Sequence, residues 1–127
     1  MSEINSPRAW VEKAEEDYVL ARSALRRKKP LAAGSCFHAQ QCAEKYMKAL
    51  LVSKKKGFPM THDLLVLNDL CSSAGILLEI DPKLLNTLTD FAVRTRYPGE
   101  GPTPSDAKEA INIAKSVRAF ARKFLEV

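Results

Sequence analysis

The chain has 127 residues, which is enough for one domain with its own core and too few for two, so we expect a single domain over residues 1–127. With 46% hydrophobic and 28% charged residues, the composition excludes a wholly disordered chain, and no apolar run approaches the roughly 18 residues that cross a bilayer. A net charge of +5 permits an anionic partner such as RNA, a nucleotide or an acidic protein, without requiring one.

The first predicted helix begins after Ser6, an N-cap that is followed by Pro7 at the first helical position, and it runs to about Arg27. Its apolar residues recur at helical spacing: Trp10, Ala14, Tyr18, Ala21, Ala24 and Leu25. The second predicted helix, from about Leu31 to Lys55, is the longest and most apolar. Its apolar residues span a wide arc, which predicts that it lies at the centre of the fold.

Three more helices are predicted in the second half of the chain. Thr61 is the expected N-cap of the third, which ends near Gly75. The fourth opens at Asp81-Pro82 and ends before a loop rich in proline and glycine. Thr103 and Asp106 have the spacing of a capping box that opens the fifth. Because no segment shows the alternation of a strand, we predict an all-α, up-and-down antiparallel bundle of about five helices.

The cysteines and the N-terminus indicate the cellular compartment and whether the chain holds disulfides or a metal. Cys36, Cys42 and Cys71 are odd in number and form no Cys-x-x-Cys pair, so neither a disulfide framework nor a zinc site is indicated. We expect them to be small buried apolar side chains, and we expect neither a metal nor a cofactor. No signal-peptide pattern is visible, so we expect a cytoplasmic protein with no membrane partner.

Asp17 interrupts the apolar face of the first predicted helix. A carboxylate buried there needs a charged or hydrogen-bonding partner, because burying it alone costs several kcal/mol. Arg118 in the fifth predicted helix and Arg96 at the end of the fourth are the expected candidates. The plainest interpretation is a buried bridge that joins two helices.

The second predicted helix carries a narrow polar strip at i, i+3, i+4 and i+7 spacing: Gln41, Glu44, Lys45 and Lys48. Such a strip on a very apolar helix is either its solvated face or the floor of a polar groove. Gln40 lies beside it, on the inner arc of the helix. Both interpretations of the strip stay open at this point.

Two further parts of the sequence carry side chains that could transfer a proton or bind a phosphate. His62, at the start of the third predicted helix, either caps that helix or presents a titratable ring at the mouth of a loop. Arg94, Arg96 and Tyr97 end the fourth. The two guanidinium groups have the fork geometry that binds phosphate, although capping of the helix end explains them as well.

These polar residues also carry a family likeness. In chain order, the motifs are Trp10-x3-Ala14-x2-Asp17, Phe37-x2-Gln40-Gln41-x2-Glu44-Lys45-x2-Lys48-Ala49-Leu50-Leu51, Thr61-His62-Asp63-Leu64 and Arg96-Tyr97-Pro98. Together they resemble the HEPN domain, "higher eukaryotes and prokaryotes nucleotide-binding", over about Pro7 to Phe124. Among its members the chain looks like the small prokaryotic type associated with minimal nucleotidyltransferases.

The resemblance implies a four-helix-bundle-like fold that is usually dimeric, similar to the accessory substrate-binding domain of kanamycin nucleotidyltransferase. Many members are metal-independent ribonucleases, several of them toxins, and carry an Arg followed four to six residues later by a His. In this sequence no His follows Arg94 or Arg96. The chain therefore lacks the complete catalytic motif, and we do not expect an enzyme.

Three functions follow. The first is a HEPN module, in a toxin–antitoxin-like pair, that binds a nucleotide or phosphate ligand, a partner minimal nucleotidyltransferase, or both. Its expected ligand contacts are Arg94, Arg96, Lys45 and Lys48, with Asp17, Gln41, Glu44 and Tyr97 in supporting positions. The second is a metal-independent ribonuclease toxin in which His62 replaces the missing His. The third is a purely structural dimer subunit with no anion site, and we expect the chain to form a homodimer.

Overall fold

The computed structural model describes residues 6–94, 98–99 and 101–127, and of Arg94 it describes only the backbone. It contains the helices α1 (Pro7–Arg26), α2 (Ala32–Ser53), α3 (Leu64–Ser73), α4 (Pro82–Arg94) and α5 (Pro104–Leu125). Since no strand occurs in these ranges, the predicted all-α helical bundle is confirmed. None of the helices described is long and apolar enough to span a membrane.

Two of the predicted helix starts are confirmed by their hydrogen bonds. The Ser6 hydroxyl accepts from the backbone N–H of Ala9 at 3.2 Å, and Pro7 is the first residue of α1. At the start of α5, the Thr103 hydroxyl accepts from the N–H of Asp106 at 3.1 Å, and the Asp106 carboxylate accepts from the N–H of Thr103 at 3.0 Å. These are the reciprocal bonds of a capping box.

The predicted start of α3 was wrong by two residues. Asp63, not Thr61, is the N-cap, and its carboxylate accepts from the N–H of Leu65 at 2.9 Å. The Thr61 hydroxyl instead accepts from the N–H of Asp63 at 3.1 Å, within the preceding loop. A carboxylate binds the positive end of a helix more strongly than a hydroxyl does, which explains why Asp63 takes the cap.

The central position predicted for α2 is confirmed, because it contacts all four other helices. Its alanines Ala39 and Ala43 are fully buried, as are Ala14 and Ala21 of α1, so small residues line both helices. The Ser35 hydroxyl donates to the carbonyl of Ala21 at 2.7 Å, which joins the two backbones. This close packing brings the polar residues of α1 within reach of those on α2.

The three cysteines are buried, as predicted. Burial raises the pKa of the Cys71 thiol to about 11. Burial, reinforced by the charges of Glu15 and Asp17, also raises the pKa of Cys42. Both thiols therefore keep their protons at neutral pH and are packing groups, not nucleophiles.

Candidate functional site

The Asp17 carboxylate lies where α1 packs against α2, and the residue is only 6% exposed. Its Oδ1 is 2.8 Å from Nδ1 of His38, and its Oδ2 accepts from Nζ of Lys45 at 2.6 Å. The predicted burial of Asp17 is confirmed. The predicted partner Arg118 was wrong, and the other candidate, Arg96, lies outside the described residues.

Arg118 pairs with Glu15 instead, because α5 packs against the side of α1 that carries Glu15. Its Nε donates to Oε1 of Glu15 at 2.5 Å, and the Tyr46 hydroxyl and Arg122 donate to the same carboxylate. Partial burial on its own raises the pKa of Glu15. The hydrogen bonds from Arg118 and Tyr46, with the charges of Arg118 and Arg122, outweigh that effect, so the pKa is lowered.

Glu44 forms a second buried carboxylate centre on α2 and is 3% exposed. Its Oε1 is 2.8 Å from Nδ1 of His62 and accepts from Nε2 of Gln40 at 3.3 Å. Its Oε2 accepts from Nζ of Lys48 at 2.9 Å. Because the central residue of the polar strip is buried, the strip is not a solvated face, and the alternative of a groove floor agrees with its burial.

Two glutamine amides extend this centre along α2. Nε2 of Gln40 donates to the backbone carbonyl of His62 at 2.7 Å, which ties the loop before α3 to α2. Nε2 of Gln41 donates to Oε1 of Gln40 at 2.9 Å. Since a primary amide has two N–H groups, Gln41 keeps one donor for a further partner.

Both lysines of the strip are neutralised by these carboxylates. Lys45 faces α1 through its bond to Asp17, and its side chain is 25% exposed. The Lys48 side chain is 12% exposed, and its Nζ lies over the rings of Trp10 and Phe58 at 5.6 and 5.3 Å. Their role in phosphate binding stays a prediction, and a phosphate would compete with two buried carboxylates for them.

A cleft of about 150 Å³ opens between α2 and α4. It is lined by Phe37, Gln40, Gln41, His62, Thr89, Ala92 and Val93. The His62 side chain is 72% exposed there, so its ring meets solvent while Nδ1 stays on Glu44. Arg94 follows Val93 as the last residue of α4. Its side chain, and the predicted site residues Arg96 and Tyr97, lie outside the described part of the chain.

His38 is the site residue that sequence reasoning missed. It lies seven residues before Lys45, which is two helical turns, and therefore shares the face that carries Lys45. The strip begins at Gln41, three residues after His38, so extending it backwards by one turn would have found His38. In the described ranges no three His, Cys, Asp or Glu side chains are grouped so that they could hold a metal ion.

Comparison with known proteins gives a family and a similar structure. The model of the HEPN domain family matches residues 7–124. The crystal structure of TT1696 from Thermus thermophilus is similar at 26% identity and a TM-score of 0.75, covering 94% of this chain and 98% of that one. No curated protein matches. Because the family model spans nearly all of the chain, the protein belongs to the HEPN domain family, which supports a nucleotide- or RNA-related module.

Proposed function

We propose that this HEPN module binds the phosphate group of a nucleotide or of RNA in the cleft between α2 and α4. The observation that carries the proposal is that the exposed ring of His62 is fixed at one nitrogen by a buried carboxylate. Its Nδ1 is held by the buried Glu44, so Nε2 of the exposed ring is the nitrogen that meets a ligand. Gln41 lines the same cleft and has one side-chain N–H beyond the one that it donates to Gln40. Because Nδ1 carries the proton that bonds Glu44, Nε2 donates to a phosphate oxygen only when the ring is protonated. The Gln41 N–H and the protonated His62 ring then give donors of fixed direction where a phosphate oxygen can enter.

The proposal assigns the main charge to Arg94 and Arg96, with Tyr97 beside them. They follow the cleft residue Val93 in the chain, and a guanidinium group matches two phosphate oxygens at once. Lys45 and Lys48 contribute charge to the ligand only when the phosphate replaces Asp17 or Glu44 as their partner. In this proposal the supporting groups are Asp17 and Glu44, which orient the two histidines.

Titration calorimetry at low salt with ATP, GTP and a short RNA tests the phosphate site. Each charge-assisted contact contributes roughly 1.5–3 kcal/mol, so Arg94→Ala/Arg96→Ala should weaken binding by at least about tenfold. Binding should also fall steeply as salt is added. The matched control is Arg26→Ala/Arg27→Ala, which removes the same charge from exposed positions at the end of α1. Equal losses in both variants, or no binding by the wild-type protein, would refute the site.

The proposed protein partner is a minimal nucleotidyltransferase, in a toxin–antitoxin-like pair. An apolar groove beside α5, lined in part by Ile80, Ala119, Phe120 and Phe124, supports a protein partner. Purifying the natively expressed protein and identifying what accompanies it by mass spectrometry tests this. Recovery of the chain with no nucleotidyltransferase would count against the pair.

A ribonuclease is the second candidate, and the paired histidines favour it. His38 and His62 each place Nδ1 against a buried carboxylate, an arrangement that orients a histidine for proton transfer. The family's Arg-to-His motif is absent from the sequence, so we expect no cleavage of single-stranded RNA with or without EDTA. Cleavage that survives EDTA and is lost in His62→Ala would establish the second candidate.

A further inference from the structure

A second cavity, of about 280 Å³, opens on the other side of His62. The residues that matter for its chemistry are Trp10, Lys48, Phe58 and Met60, together with His62 itself. His62 also lines the cleft between α2 and α4, so the two cavities are neighbours and share one side chain. A ligand that contacts His62 therefore has access to both.

Aromatic surfaces line this second cavity in a fixed arrangement. The rings of Trp10 and Phe58 meet edge to face, with centroids 5.7 Å apart and planes inclined at 82°. The Lys48 ammonium lies 5.6 and 5.3 Å from the two ring centres and is anchored by Glu44 at 2.9 Å. Because the rings and the cation hold one another, the walls are preorganised, and binding loses less entropy in ordering them.

Met60 is fully exposed at the mouth of this cavity. A thioether side chain that points into water beside an aromatic cavity gains free energy when a planar apolar group covers it. Three residues with polar side chains, Thr61, Lys48 and His62, line the same space. The cavity thus combines aromatic side chains, against which a flat ring can pack, with polar side chains that can bond to that ring's edge.

We propose that this cavity is a nucleobase subsite. The base stacks against Trp10 and Phe58 beneath Met60, and its phosphate reaches the cleft between α2 and α4 past His62. Every nucleobase has a π face and a polar edge, and both match these walls. The inference rests on the proposed phosphate site and extends it to ligands that carry a base.

Trp10 is the single tryptophan of the chain, so its fluorescence reports on the subsite directly. The probes are AMP, ribose 5-phosphate, adenosine and a short oligoadenylate. We expect AMP and the oligoadenylate to quench Trp10, and ribose 5-phosphate to bind in calorimetry without quenching. AMP should bind roughly tenfold more tightly than ribose 5-phosphate, as expected for one stacked base. Tighter binding of the oligoadenylate than of AMP would identify single-stranded RNA as the source of the base.

Two variants separate stacking from folding. Phe58→Leu keeps an apolar side chain in the partly buried position and removes the π face. Met60→Ser changes a side chain that makes no core contact, so it leaves the fold intact. Both should reduce the advantage of AMP over ribose 5-phosphate severalfold and leave ribose 5-phosphate binding unchanged. Phe120→Leu on α5 is the matched control and should change neither.

The outcomes distinguish this inference from the function on which it rests. Equal affinity for AMP and ribose 5-phosphate, with no quenching, overturns the base subsite and leaves the phosphate site standing. Quenching by adenosine with no binding of ribose 5-phosphate supports the base subsite and overturns the phosphate site. An advantage of AMP that Phe58→Leu and Met60→Ser both retain overturns the placement of the base in this cavity.

Discussion

Asp17 and Glu44 are buried carboxylates, and each is bonded to one lysine and one histidine. Taking a carboxylate out of water costs several kcal/mol, which these partners offset through charge and hydrogen bonds. The pairs therefore contribute little net stability as they stand. Removing one member is costly, because its partners stay behind in a partly buried place.

Asp17→Ala should lower the free energy of unfolding by at least about 2 kcal/mol, since it strands Lys45 and His38. Asp17→Asn should cost less, because the amide oxygen still accepts a hydrogen bond. Denaturant unfolding measures both. A midpoint for Asp17→Ala that equals that of the wild-type protein would show that the carboxylate contributes nothing at this position.

Tyr46 gives the fold a predicted sensitivity to alkali. Burial and its hydrogen bond to Glu15 raise the pKa of Tyr46 from 10.0 to about 12. The folded state therefore keeps this proton between pH 10 and 12 while the unfolded state releases it. The contribution to stability is complete below pH 10 and is lost as the pH rises to about 12.

Unfolding monitored between about pH 9 and 12 in the wild-type protein and in Tyr46→Phe measures this contribution. The wild-type protein should lose more stability over that range than the variant, which has no phenol to titrate at this position. If both proteins lost the same stability over this range, a group other than Tyr46 would be responsible for unfolding at high pH.

At the scale of helices, local signals decided where helices begin. Ser6 and Thr103 were predictable because each caps through backbone groups within three residues of itself. The prediction that Thr61 caps α3 was wrong because Asp63, two residues later, competes for the same helix end. Thr61 and Asp63 are only two residues apart, so the sequence Thr-His-Asp already contained the information needed. A carboxylate caps a helix start more strongly than the threonine hydroxyl two residues before it.

Asp63→Ala should destabilise the protein by about 1 kcal/mol through loss of the N-cap of α3. Asp63→Asn is the matched control and should lose much less, because its side-chain oxygen still accepts from Leu65. Thermal unfolding followed by circular dichroism compares the two. If Asp63→Ala and Asp63→Asn melt together, the hydrogen bond of the cap is not what the aspartate contributes.

Which residues pair with the buried polar side chains depends on how the helices pack against one another. Sequence periodicity does not predict that packing. Spacing along α1 predicted that Asp17 faces inward. The identity of its partners required the register of α1 against α2, which brings His38 and Lys45 to it and leaves Arg118 to Glu15. For the same reason, the sequence could not decide whether Glu44 is solvated or buried.

At the scale of the whole molecule, several large apolar side chains are more than half exposed in the single chain: Val19, Leu31, Met60 and Leu77. Scattered exposed apolar residues are ordinary on a protein surface, so they permit association without proving it. HEPN domains often form dimers, which is a second reason to expect association.

We predict a homodimer in the absence of another partner. Multi-angle light scattering at micromolar concentration should give about twice the 14.1 kDa mass of the chain. Leu77→Ser and Leu31→Ser change exposed positions on different parts of the surface, and a dimer contact at either would shift the mass towards that of a monomer. A wild-type protein that stays monomeric at this concentration would contradict the prediction.

The position of α2 between the other helices has a consequence for hydrogen exchange. Amide protons of a helix that every neighbour covers exchange only when the whole domain unfolds, so their protection reports the global free energy. A ligand that binds only the native state slows their exchange by a factor of 1 + [L]/Kd. The α2 amides therefore measure the affinity of any ligand of the folded protein, wherever on the surface it binds and without a label at the site.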